Sequence, residues 1–81
     1  MSYIINYEKG LAELSSSICS EDESIWKDFY LYKSQLLANI QEEEKFGSTE
    51  TLRSERYRVI DKLNAIALSL TGNSFTDLCM E

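Results

Sequence analysis

The sequence contains no proline and only three glycines in 81 residues. A many-stranded fold turns its chain with both, so their scarcity argues against one. Histidine is missing as well, which removes the commonest general base and the commonest metal ligand together. Basic residues are few: eight Lys and Arg against fourteen Asp and Glu leave a net charge of −6. A nucleic-acid binder, whose affinity rests mainly on neutralising phosphates, is not built that way. No uninterrupted apolar stretch approaches membrane-spanning length. The start MSYIINYEKG has neither the basic flank nor the long apolar run of a signal peptide. Cysteine occurs twice, at Cys19 and Cys79, without the close spacing of a zinc or redox pair. These absences predict a cytoplasmic protein with reduced thiols, no cofactor, no metal, no nucleic acid and no membrane partner.

What is present is helical pattern. Apolar residues make up 43% of the chain, enough for a core in a domain of this size. Ile4, Tyr7, Leu11, Leu14 and Ile18 recur at three- to four-residue intervals and predict a first helix over 3–17. Gly10 weakens it, by about 1 kcal/mol relative to alanine. Ser20 with Glu23 reads as a capping box opening a second helix over 21–46. Its stripe is Ile25, Phe29, Tyr32, Leu36 and Ile40, and Gly47 ends it. Ser48 or Thr49 then caps a third helix over 50–71, with Leu52, Val59, Ile60, Leu63, Ile66, Ala67 and Leu70 on the apolar side. Gly72 closes it, and Ser74 with Asp77 opens a short fourth helix carrying Phe75 and Leu78. The expected architecture is all-α and a single domain: an antiparallel bundle of three main helices plus a short C-terminal one. The tight turn at Gly47 makes helices two and three a hairpin, whose far end, residues 40–56, projects with less cover. Cys19 and Cys79 are expected near each other at the opposite end.

Few residues carry chemistry. Ser15, Ser16, Ser17 and Cys19 have no histidine to activate them. Adjacent members of Glu42-Glu43-Glu44 point about 100° apart and do not converge on a metal. Both readings point away from an enzyme. Two features suggest protein contact instead. Trp26, Phe29, Tyr30 and Tyr32 cover over half the circumference of helix two, more than a small core buries, and make Trp26 and Tyr30 candidates for a partner-binding face. Charge is also unevenly spread: residues 1–48 hold four basic and nine acidic groups, while all three arginines, Arg53, Arg56 and Arg58, lie within six residues. Local pairs such as Glu50 with Arg53 and Glu55 with Arg58 would account for some of them. An acidic patch at Glu42, Glu43 and Glu44 and a basic one at Arg53, Arg56 and Arg58 also suit head-to-tail self-association.

The stretch LLANIQEEEKFGSTETLRSERYRVIDKLNAIALSLTGNSFTDL, about half the chain, resembles small helical effector-associated, death-like domains of bacteria. The resemblance rests on a helix ending "NI…FG" followed by "T…LR.ER..I…LN.IAL…G.SF..L". It implies an N-terminal adaptor module of conflict and signalling proteins that contacts related domains and serves antiviral defence. The death fold proper has six shorter helices, where the apolar pattern predicts four. By position the resemblance marks Phe46, Gly47, Leu52, Arg53, Glu55, Arg56, Ile60, Leu63, Asn64, Gly72, Ser74, Phe75 and Leu78, most of which have a plain structural role as helix stops, caps or core. Of these Arg56 is expected to pair with a carboxylate on helix two, and Asn64 to need a hydrogen-bond partner at its half-buried position. A rival reading is a heterotypic binder, an inhibitor or chaperone-like subunit docking through the Trp26–Tyr32 band.

Overall fold

In the computed structural model, residues 5–80 are described; Ile4, the first member of the predicted stripe, lies outside them. Four helices follow in order: α1 Tyr7–Ser17, α2 Glu23–Phe46, α3 Glu50–Thr71 and α4 Phe75–Cys79. The only β-type pairing among the described residues is an isolated antiparallel bridge between Ile5 and Met80. The predicted all-α bundle, three long helices and a short last one, is what the chain forms.

Each helix begins where a side chain replaces the missing backbone acceptor. Asn6 caps α1, its Oδ1 accepting from Lys9 N–H at 3.1 Å, so the helix starts later than apolar spacing alone suggests. Ser15, Ser16 and Ser17 turn their hydroxyls back onto the carbonyls of Ala12 and Glu13 at 2.9–3.0 Å. Such back-bonding competes with the helix ladder and suits a helix end. The predicted Ser20 cap is not used. A turn from Cys19 to Asp22, closed by Asp22 N–H to the Cys19 carbonyl at 3.0 Å, takes up Ser20 and Glu21. Asp22 caps α2 instead, accepting from Ile25 N–H at 3.3 Å. Thr49 caps α3 and Ser74 caps α4. Gly47 and Gly72 end α2 and α3 at φ +82° and +80°, conformations that L side chains rarely adopt.

The core is a continuous cluster of Leu11, Leu14 and Ile18 from α1 and its end, Phe29 and Leu36 from α2, Val59, Leu63 and Ala67 from α3, and Phe75 and Cys79 from α4. Helices α2 and α3 pair along their length as the expected hairpin. The last helix departs from expectation. Rather than staying at the α1–α2 connection, α4 runs back along α1 toward its start. Asn6 N–H donates to the Cys79 carbonyl at 2.7 Å, and Lys9 Nζ donates to the carbonyls of Leu78 and Met80 at 3.1 and 2.8 Å. Gly10 is what lets α4 approach: a Cβ there would collide with Cys79 Sγ and sit 3.1 Å from Phe75 Cε1. Its helix-propensity cost is therefore offset by close packing.

This placement separates the two cysteines. Cys79 is buried against Gly10, whereas Cys19 is exposed beyond the other end of α1. The helix from Gly10 to Ser17 alone spans about 10 Å. Both thiols are free, but their expected proximity is overturned by the direction in which α4 folds back.

Candidate interaction surface

The hairpin is organised around one buried amide. Asn39, 5% exposed, donates from Nδ2 to the Leu52 carbonyl at 2.8 Å and accepts at Oδ1 from Arg56 Nε at 2.8 Å. A buried polar group of this kind is stable only when its bonding capacity is used, and here it registers α2 against α3. The Arg56 guanidinium continues to Glu43, Nη2 to Oε2 3.1 Å. It also lies 6.0 Å from the centre of the Tyr7 ring. Nη2 is buried and not aligned with a hydrogen-bond acceptor, so Arg56 and Glu43 attract as charges rather than through a directed bond. The expected pairing of Arg56 with an α2 carboxylate is present. The same pairing commits Arg56 and Glu43 to each other and leaves both only partly exposed.

The remaining predicted charges do not form two patches. Glu42 and Arg58 enter one open groove of about 410 Å³, lined by Gln35, Ala38, Asn39, Glu55 and Val59 as well. Glu44 is exposed in a different direction, as the 100° step between helical neighbours requires. Arg53 is exposed on α3, and helical spacing sets it well round from Arg58. Among the described residues the ion pairs are Lys9–Glu13 and Arg56–Glu43. The local pairs Glu50–Arg53 and Glu55–Arg58 are not made, and Glu42, Glu44, Arg53 and Arg58 carry charges that the fold does not neutralise by contact.

The aromatic candidates divide in the same way. Trp26 is half-buried, and its indole N–H donates to the Cys19 carbonyl at 3.0 Å, which fastens the α1–α2 turn. Its ring meets Phe29 edge-on at 5.9 Å and stacks on Tyr30 at 5.5 Å. Phe29 is buried, while Tyr30 and its neighbour Leu31 are 55% and 50% exposed. Of the predicted face, Tyr30 is the accessible part.

Asn64 also finds the partner that its position demands: Oδ1 accepts from Thr76 N–H at 3.1 Å and lies 3.4 Å from the Thr76 hydroxyl. This ties α4 to α3. The buried Cys79 thiol is pushed up to about 11, chiefly by desolvation, and so remains protonated and unreactive at neutral pH. No group of three or more Cys, Asp or Glu side chains among the described residues is placed to hold a metal ion. Among the described residues no helix is long and apolar enough to cross a membrane.

Sequence reasoning missed Asn39, which sits among the polar-looking spacing of α2. It also missed Tyr57, 67% exposed, and Leu68, 53% exposed. A signal for Tyr57 was available: it lies off the apolar stripe of α3, midway between Arg53 and Asp61.

Comparison of the chain with protein-family models, with characterised proteins and with solved structures finds no match.

Proposed function

We propose that this domain is a non-catalytic protein-interaction module that recruits or oligomerises signalling proteins by homotypic contact. The observation that carries this reading is the set of uncompensated exposed charges of both signs on the α2–α3 hairpin: Glu42 and Glu44 on one helix, Arg53 and Arg58 on the other. Uncompensated charges of both signs spread around one hairpin can be satisfied by those of a second copy, which fixes its orientation. The resemblance to effector-associated, death-like domains supports the same reading and supplies its setting, a cytoplasmic adaptor in bacterial antiviral defence. Sedimentation of the purified chain over a wide concentration range tests it. Reversible self-association that weakens as salt rises toward 1 M, where the screening length falls to about 3 Å, is the expected result. A monomer at every concentration would remove the homotypic reading.

A second reading, a heterotypic binder, draws support from the adjacent exposed Tyr30 and Leu31. It is weaker than the sequence suggested, because the Trp26 indole N–H is already engaged within the fold. In that case the chain stays monomeric, and Tyr30→Ala abolishes partner capture without altering helicity.

A further inference from the structure

Helix α3 has three sides in use or partly in use. Its apolar stripe packs inward, α2 lies along one flank, and α4 is tied to another through Asn64 and Thr76. The outward side carries Arg53, Tyr57 and Asp61, all exposed, at intervals of four residues that place them on one face. Arg53 and Asp61 are eight residues apart, about 12 Å along the axis, too far to pair with each other. Neither belongs to an ion pair among the described residues. Tyr57 stands between them with two-thirds of its surface in water.

The order of these residues is symmetric about Tyr57. If two copies of α3 lie antiparallel across a two-fold axis, residue 57 − k of one faces residue 57 + k of the other. Arg53 then faces Asp61, twice, and Tyr57 faces Tyr57. No like charges oppose each other at these positions.

We propose that this face of α3 is a self-complementary docking surface whose occupant is a second copy of the same chain, related by a two-fold axis through Tyr57. The proposal rests on the homotypic reading above and specifies it: the contact is isologous and closes at two copies, in place of an open head-to-tail chain. One helix face buries less than a standard interface, so the dimer is weak and reversible. Recruitment by such a contact would depend on local concentration, as when several copies are tethered together.

The experiment is a charge swap read by sedimentation of the whole 81-residue chain, with far-ultraviolet circular dichroism confirming unchanged helicity. Arg53→Asp and Asp61→Arg each replace two attractions per dimer with two repulsions, and each should raise Kd by about tenfold or more. The double variant Arg53→Asp/Asp61→Arg restores both attractions with reversed polarity and should return Kd to within about threefold of the parent. General loss of surface charge or of stability would not produce that recovery. A second measurement uses the axis itself: Tyr57→Cys in a Cys19→Ser background should form a disulfide-linked dimer under mild oxidation. Thr51→Cys in the same background, off this face, should not. If the double variant is as monomeric as the single ones, or Tyr57→Cys fails to cross-link, the two-fold α3 contact is wrong. Where the parent still associates and Glu42→Lys/Glu44→Lys abolishes association, the homotypic reading stands and the contact lies elsewhere. A parent that is monomeric throughout overturns both.

Discussion

Replacing Gly10 by alanine sets two physical effects against each other, and the structure determines which wins. Within an isolated helix the change is favourable by about 1 kcal/mol, because alanine loses less backbone entropy on folding. In this fold the new methyl group would collide with Cys79 Sγ and crowd Phe75 Cε1 at 3.1 Å and Cys79 Cα at 3.3 Å. Cys79 and Phe75 are both fully buried, so neither side chain has a free direction in which to move. Overpacking of this kind costs about 1–3 kcal/mol. The net expectation for Gly10→Ala is a destabilisation of about 0–2 kcal/mol, so the propensity gain is at least cancelled. In a domain of this size each kcal/mol lowers the melting temperature by roughly 4–8 °C. Urea denaturation followed at 222 nm measures the change directly from the midpoint at constant slope. Cys79→Ala removes the colliding sulfur, so the double variant should be more stable than the sum of the single effects predicts. Complete recovery is not expected, since the Phe75 and backbone contacts remain. If Gly10→Ala stabilises the protein, α4 does not pack on α1 as described, and the core arrangement is wrong.

Three further experiments address the hairpin and the thiols. Asn39→Leu should cost about 2–3 kcal/mol by urea denaturation, because it leaves the buried Arg56 Nε without its acceptor at 2.8 Å. A variant as stable as the parent would show that Asn39 does not register the helices. Toward an aromatic disulfide reagent at pH 8, the exposed Cys19 should react at once and the buried Cys79 only after denaturation; equal rates for both would contradict the packing of α4. The Cys79 thiol is raised from its ordinary 9.0 to about 11, so the folded state holds its proton where the unfolded state has lost it. Its contribution to stability is therefore complete below pH 9 and is lost as pH rises from 9 to 11. Cys79→Ala should flatten that part of the stability profile.

The helices were legible in the sequence because their signals are local. Stripes at three- and four-residue spacing, Thr49 and Ser74 as caps, and glycines at 47 and 72 each act within a turn or two of the chain. The first errors came where two local signals compete. Ser20 with Glu23 reads as a capping box, but the turn closed by the Cys19 carbonyl takes up Ser20 and leaves Asp22 to cap α2. The direction of α4 was not legible. It depends on Gly10 admitting Cys79 and on Lys9 reaching the carbonyls of Leu78 and Met80, contacts about seventy residues apart in sequence. Without them Gly10 reads only as a weak point in a helix.

The site illustrates a different limit, that of inferring surfaces from runs of like residues. Glu42, Glu43 and Glu44 are one feature in the sequence and three in space, because a helix turns each successive side chain by 100°. One enters the groove with Arg58, one faces Arg56, and one is exposed elsewhere. The arginines divide likewise, with Arg56 committed to Asn39 and Glu43. A surface on a helix is written in the sequence as every third or fourth residue, not as a block. Arg53, Tyr57 and Asp61 satisfy that rule, although no two of them are adjacent and their charges cancel in any compositional count. Their value for recognition lies in that cancellation. A face whose charges are opposite and equally spaced from a central aromatic can satisfy a copy of itself, whereas a block of one sign can only repel its own copy. The proposed self-recognition therefore requires no separate acidic and basic patch, only one helix face with the right internal order.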